Sequence, residues 1–294
     1  MKKNLCAIAV IGGSGLYDME EFRDKKEIKI KTPFGSPSDS IITGKISGTA
    51  CAFLPRHGRG HRLLPCEIPQ KANIYALKSM GVKTIISVSA VGSLKEEFAP
   101  THFVFPDQLV DETKNRECSF FGKGVVAHFP MAHPFCGNVQ KMMHEQAEQM
   151  RITAHFGGVY VCMEGPSFST RAESEFHRKM GYSIIGMTVA AEAKLAREAG
   201  ICYAPVSLVT DYDCWKEGEE VDQESVLKTL RQNVANIKKL LARAIPLVEE
   251  IDAECECAGH IKTSVLTARE NIPAGIYRKL RLILDEAYEK AKIS

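Results

Sequence analysis

Ile8-Ala9-Val10-Ile11-Gly12-Gly13-Ser14-Gly15-Leu16 is an apolar run that stops abruptly in glycines. A continuous apolar stretch of strand length, closed by a Gly-rich turn, reads as a strand buried on both faces, as in a sheet covered by helices. The turn leaves backbone N–H groups free to face an anion, and the Ser14 hydroxyl adds a donor. The design recurs downstream. Thr84–Val88 is β-branched and runs into Ser89-Ala90-Val91-Gly92-Ser93, which predicts a second small-residue turn. Val159–Met163 and Ser183–Met187 repeat it, with a helix predicted over Arg171–Met180 between them, and Ala204–Thr210 is one more apolar strand.

Around this frame, Glu27–Lys31, Ile41–Ile46 and Cys51–Leu54 are strand-like and separated by turn signals such as Pro33-Phe34-Gly35-Ser36-Pro37. Ile68–Met80 has helical spacing, with Pro69 in its first turn and Gly81 as its stop. From Glu224 onward, apolar residues from Val226 to Ile245 fall at three- and four-residue steps, an amphipathic helix that Pro246 should kink or end. Ile276–Lys290 gives a last helix. No repeat, low-complexity tract or linker interrupts the order. The reading is one α/β domain over residues 1–294 on a parallel or mixed central sheet, with a core at about 7–253 and a C-terminal helical extension at about 259–294.

Composition narrows the function. The 294 residues are 45% hydrophobic and 25% charged, enough for a sizeable core. Lys plus Arg is 38 against 36 for Asp plus Glu, a formal net charge of +2 that gives no bulk attraction to nucleic acid or an anionic membrane. No apolar run reaches membrane-spanning length and the first residues lack a signal-peptide cleavage site, so a cytoplasmic protein is expected. Ten cysteines is a high count, but most lie in apolar runs, and no local spacing matches a zinc site. Cys255-Glu256-Cys257 reads either as a strained, easily reduced bridge or as two reduced surface thiols.

Three segments could bind an anion. The Gly12–Gly15 turn has Asp18 where a dinucleotide fingerprint needs a third glycine, and no Lys-Ser/Thr of a P-loop follows it. Pro55-Arg56-His57-Gly58-Arg59-Gly60-His61-Arg62 is too crowded with charge for a core and suits phosphate oxygens, or else is a solvated basic loop. Its Arg-His-Gly opening also occurs in histidine phosphatases, whose later Arg and Pro are Gly60 and Arg62 here. Ser87–Ser93 supplies hydroxyls and room. Each turn follows a predicted strand, so the three can converge where open α/β sheets bind ligands. For a base there are two further candidates. Val209-Thr210-Asp211-Tyr212-Asp213-Cys214-Trp215 offers paired carboxylates, as acid/base groups, metal ligands or loop acids. Met163–Glu173 carries Phe168 in a polar turn, to stack on a flat ligand or to anchor the loop.

These residues together resemble the trimeric purine nucleoside phosphorylase superfamily. The likeness runs from about Ala7 to Ala253. It is carried by Gly12-Gly13-Ser14-Gly15-Leu16, Thr32-Pro33-Phe34-Gly35, Arg56-His57-Gly58, Gly165-Pro166-x-Phe168-Ser169, Met187-Thr188 and Thr210-Asp211-Tyr212-Asp213-Cys214-Trp215. The resemblance implies a mixed sheet forming a distorted barrel flanked by helices, in a homotrimer or dimer of trimers with active sites at subunit interfaces. It implies that Ser14, Arg56, His57, Ser89, Ala90 and Thr188 hold phosphate, a co-substrate, with no cofactor and no metal. Met187 would lie along the ribose, with Phe168, Ser169, Asp211 and Asp213 around the purine. Val226 and Leu227, with His128 of a neighbouring subunit, would border a 5′-methylthio group. The expected reaction is phosphorolysis of 5′-methylthioadenosine, the alternatives being 5′-methylthioinosine or purine nucleosides in general. Relatives acting on 6-oxopurines carry Glu where Ser169 stands and Asn where Asp211 stands, which favours a 6-aminopurine here. Departures from animal relatives include Ser14 and Ser89 for threonines, Gly186 for an asparagine, and Val189-Ala190-Ala191 for Thr-Val-Pro.

Overall fold

The computed structural model describes residues 5–13, 15–218, 223–251 and 255–289, with only the backbone described at 223–227 and 250. Ser14 and the side chains of Val226 and Leu227, expected at the site, lie outside the described residues. The strands are β1 (Ile8–Gly12), β2 (Phe22–Ile28), β3 (Ile41–Ile46), β4 (Thr49–Pro55), β5 (Thr84–Ser93), β6 (Phe103–Phe105), β7 (Gln108–Asp111), β8 (Ala154–Phe156), β9 (Val159–Cys162), β10 (Ile184–Gly186) and β11 (Cys202–Asp211). The helices are α1 (Gln70–Ser79), α2 (Gly137–Gln149), α3 (Arg171–Lys179), α4 (Val189–Glu198), α5 (Gln223–Ile251), α6 (His260–Ser264) and α7 (Ala274–Tyr288).

All eleven strands form one mixed, branched sheet in the order β2-β3-β4-β1-β5-β10-β9-β7, with β11 beside β5 and leading to β6 and β8. Successive side chains of a strand face opposite sides. On β1 and β4, Ala9, Ile11, Ala52 and Leu54 join one apolar cluster with Ile74 and Leu77 of α1, Val189 of α4 and Leu280 of α7. Ile8, Val10, Cys51 and Phe53 join another with Val139 and Met143 of α2 and Ile237 and Leu240 of α5. The sheet is therefore covered on both faces, which is why its strands read as unbroken apolar runs.

The centre of the sheet differs from the sequence expectation. Ser89–Ser93 is not a turn; β5 continues through it to Ser93. One edge of β5 pairs with β11 along most of its length, Ser89 opposite Ser207 and Ala90 opposite Leu208. Its other edge pairs with β1 only as far as Ser87 and with β10 only from Gly92. Val88–Val91 thus spans a fork in which the strand changes partner, the kind of opening where ligands enter α/β sheets.

Two further expectations change. The strand placed over Glu27–Lys31 lies earlier, at Phe22–Ile28, where it pairs with β3. Helix α5 runs through Pro246 to Ile251. An interior proline costs a helix about 3 kcal/mol, but Leu240, Leu241, Ala244, Ile245 and Val248 are fully buried on either side of it, and that packing offsets the lost hydrogen bond. The C-terminal extension caps the fold. Leu280, Ile283 and Leu284 of α7 join the α1 side of the core, and Lys78 of α1 pairs with Glu286 at 2.6 Å.

Candidate active site

A cavity of about 680 Å³ opens at the fork. Its wall includes Gly13 and Gly15 after β1, Arg56 and His57 after β4, and Val88–Gly92 of β5. It also includes Met187 and Thr188 between β10 and α4, and Asp211 and Asp213 at the end of β11. The three anion-binding candidates and the acid pair, far apart in sequence, therefore border one space.

Arg56 is not part of a solvated loop. It is 3% exposed, and its Nε donates to Glu192 Oε1 at 2.5 Å. Nη2 donates to Glu192 Oε2 (3.1 Å) and Ser87 Oγ (2.6 Å), and Nη1 to the Val88 carbonyl (2.7 Å). Burial alone would weaken the guanidinium's hold on its proton; the Glu192 carboxylate outweighs that and keeps Arg56 charged. Glu192 is fully buried and also accepts from Tyr203 Oη (2.7 Å) and Ser87 Oγ (3.0 Å). Because a guanidinium has two hydrogens on each Nη, the second Nη1 hydrogen has no acceptor among the described residues, and Arg56 lines the cavity. Sequence reading misses Glu192 because it does not anticipate the helix, α4; an Ala-rich run after Met187-Thr188 is the available signal.

His57 is half-buried, its Nδ1 lies 2.8 Å from the Leu63 carbonyl, and its ring stacks on His61 at 4.2 Å. Desolvation lowers its pKa to about 4 against the opposing Leu63 hydrogen bond, with Arg56 and His61 adding to the fall. The ring is therefore neutral near pH 7, with its proton on Nδ1 for the carbonyl and its Nε2 left to accept. Ser89 Oγ is buried with no hydrogen-bond partner among the described residues. Thr188 stands at the N-cap position of α4 without a side-chain capping bond, and the orphan N–H groups of that helix start favour an anion.

The acids sit about 10 Å from Ser89 along β5, counting roughly 3.3 Å for each of the three residues to Gly92. A Cβ on Gly92 would lie 3.1 Å from Asp211 Oδ1 and 3.3 Å from Asp213 Cβ, so glycine gives the pair its space. Asp211 Oδ1 accepts from the Asp213 amide (2.8 Å) and Oδ2 from Thr210 Oγ1 (2.6 Å). Burial nonetheless raises the Asp211 pKa, overriding those hydrogen bonds. The Thr210 hydroxyl has one hydrogen and a second acceptor, the Val91 carbonyl at 3.2 Å. Asp213 is 5% exposed, has a φ of 52° and leaves Oδ2 without a partner among the described residues. Trp215 anchors the segment by donating Nε1–H to the Ser93 carbonyl at 2.8 Å.

Phe168 is 70% exposed and lines the cavity, so it does not anchor its loop to the core. That loop is held by Arg116, which donates to Glu164 Oε1 (3.2 Å), the Glu164 carbonyl and the Met187 carbonyl (3.0 Å). Gly165 has a φ of 67°, which glycine adopts most readily, and a Cβ there would lie 2.6 Å from Met187 Sδ. Ser169 lies off the cavity wall, its Oγ 4.0 Å from Met163 Sδ. His128 is exposed and also off the wall, its amide donating to the Ser264 carbonyl at 2.9 Å. Gly186 is explained by crowding: a Cβ there would lie 1.9 Å from Tyr160 Oη, so the tyrosine fills the volume of a larger side chain.

A fork-centred pocket with anion donors at one end and carboxylates at the other defines a class, and the chain belongs to the phosphorylase superfamily, whose sequence pattern matches residues 7–246. Among its relatives, S-methyl-5'-thioadenosine phosphorylase of Geobacter sulfurreducens is 49% identical over 279 residues, covering 94% of this chain and 97% of that one. A crystal structure of a methylthioadenosine phosphorylase from an Antarctic soil metagenomic library superposes with a TM-score of 0.92 at 45% identity, covering 96% and 99% of the two chains. The methylthioadenosine phosphorylase of Schistosoma mansoni in complex with adenine superposes at 0.79 with 34% identity, covering 95% and 98%.

Proposed function

We propose that the chain phosphorolyses 5′-methylthioadenosine, giving adenine and 5-methylthioribose 1-phosphate, and so serves purine and methionine salvage. The named relatives support the substrate. The observation that carries the reading is the pairing, in one cavity, of an unpartnered Ser89 hydroxyl with an unpartnered Asp213 carboxylate oxygen. The spacing of about 10 Å along β5 leaves room for a sugar between an anion and a base.

Phosphate would lie in the fork against Ser89, Ala90, Thr188 and the N-terminus of α4, with Gly13 and Gly15 and the Ser14 between them. Arg56 supplies its remaining N–H, and its charge is already balanced by Glu192. His57, neutral, accepts a hydrogen bond from a monoprotonated phosphate oxygen. The nucleophile is then held beneath C1′, which lowers the barrier by proximity and electrostatic stabilisation rather than by a covalent enzyme intermediate. As the glycosidic bond breaks, charge grows on the purine. Asp211, whose proton burial retains to a higher pH than in an ordinary aspartate, delivers it to N7, and Thr210 Oγ1 then donates to the carboxylate left behind. Asp213 Oδ2 accepts from the 6-amino group; a 6-oxo group would face that oxygen unfavourably, worth on the order of 10⁴-fold in selectivity. Phe168 stacks on the base and Met187 lies along the ribose. Val226, Leu227 and His128 of a neighbouring subunit border the methylthio group in a homotrimer, and Ser169 follows Phe168 in the loop on the base side. Exposure of His128 away from its own cavity supports that assembly. No described helix is long and apolar enough to cross a membrane, and ten unbridged cysteines support work in the reducing cytoplasm. The reading is tested by measuring free base released from methylthioadenosine, methylthioinosine, adenosine and inosine. Faster turnover of the two inosine forms would overturn the Asp211/Asp213 argument.

A further inference from the structure

The local cysteine spacings give no sign of a metal site, yet the fold brings four thiols together from three distant segments. Cys136 caps α2, Cys202 opens β11, and Cys255 and Cys257 belong to the 3-10 turn Glu256–Ala258 and its N-cap, where the C-terminal extension begins. Their sulfurs all lie within 4.8 Å of one another. Cys136 Sγ is 3.4 Å and Cys202 Sγ 3.1 Å from Cys255 Sγ. Cys136, Cys202 and Cys257 are buried, so Cys257 is not the surface thiol its sequence neighbourhood suggests. All four are unbridged.

We propose that Cys136, Cys202, Cys255 and Cys257 form a structural tetrathiolate site for a thiolate-preferring divalent cation, zinc foremost. Four sulfurs at about 2.3 Å from a tetrahedral zinc stand about 3.8 Å apart, within the spread seen here. Two ligands one residue apart take one edge, and the N-cap of α2 and the start of β11 take the other. That second edge is already fixed by the backbone, because the Cys136 amide donates to the Tyr203 carbonyl at 2.8 Å. Binding releases the thiol protons and leaves a formal charge of roughly −2 on the site, four thiolates against one dication. A second cavity, apart from the active-site one, borders Cys202 and Cys255, and its wall carries Lys83 and Lys262 as well as the Lys78–Glu286 pair and Glu289. The consequence is a staple. It ties the extension that carries α6 and α7 to the central sheet, far from the reacting groups.

The test uses the full chain, reduced, freed of metal with a chelator and titrated with cobalt(II) alone. About one equivalent should bind with the intense bands of a tetrahedral thiolate complex, and zinc should then bleach them. The four cluster cysteines should become protected from alkylation while Cys66, which is exposed, stays reactive. Cys257→Ser should weaken the binding and lower and shift the bands, and Cys66→Ser should leave them intact. The wild-type titration decides the matter even if the first variant fails to fold. A fully reduced chain that shows no thiolate–cobalt band with excess cobalt, or whose cluster cysteines alkylate equally fast with and without metal, would overturn the site.

Discussion

Asp211 and His57 show how burial, rather than residue type, decides chemistry at the site. Both are legible as polar residues following apolar strands, but neither protonation state is, because each depends on groups from other segments. Burial raises the Asp211 pKa, so the carboxyl keeps its proton to a higher pH than an ordinary aspartate. Turnover should therefore decline on the alkaline side of the pH profile as Asp211 ionises. Asp211→Asn, which cannot deliver the proton, should cut kcat by about 10²-fold or more and flatten that alkaline limb; near-normal turnover would remove Asp211 from the mechanism. His57 is displaced the other way, from 6.5 to about 4. Its neutral form in the fold contributes stability that is full above pH 6.5 and lost as pH falls through about 4. An NMR titration of the imidazole in the free protein should give a midpoint well below that of a free histidine. A midpoint at 6.5 would show that burial does not displace the ring, and one well above neutral pH that the ring is charged and meets phosphate as a donor.

Strands are the elements that the sequence makes plainest, since β1, β3, β4 and β11 are apolar runs with small-residue or turn boundaries. What it hides is partnership. The small residues of Ser89–Ser93 look like a turn because nothing local distinguishes a turn from a strand that trades one neighbour for another. Helix α4 escapes notice for a related reason: its importance lies in a side chain, Glu192, whose partners Arg56, Ser87 and Tyr203 come from three other segments. Removing one partner of a buried ion pair leaves the other uncompensated, at a cost of about 3–5 kcal/mol. Glu192→Gln should therefore lower the denaturation midpoint substantially and raise the KM for phosphate more than it lowers kcat, because Arg56 loses its orientation. An unchanged phosphate KM would make Glu192 a purely structural residue. Gly186→Ala tests the crowding argument at β10. With Tyr160 Oη in the way, it should cost about 1–3 kcal/mol of stability, and a neutral effect would mean that the tyrosine has somewhere else to go.

At the scale of the molecule, the sheet's fork is what brings the proposed anion donors and the acid pair to one cavity. β1, β4 and β5 deliver donors from one side, while β11 and the loop held by Arg116 bring carboxylates and an aromatic ring from the other. The α/β order of elements can be read along the chain, as can the convergence of separate loops; the fork, the buried Arg56–Glu192 pair and the four-thiol cluster arise only from contacts between distant segments. A ligand that binds the folded state stabilises it by mass action. Inorganic phosphate should therefore raise the Tm progressively with concentration, and Arg56→Ala should blunt that rise. The central claim is that phosphate itself is the nucleophile. Its most direct test is release of adenine from methylthioadenosine with and without phosphate, following the sugar product. The account predicts adenine release only with phosphate, one methylthioribose 1-phosphate appearing for each adenine; equal release in phosphate-free buffer, with free methylthioribose as the product, would contradict it.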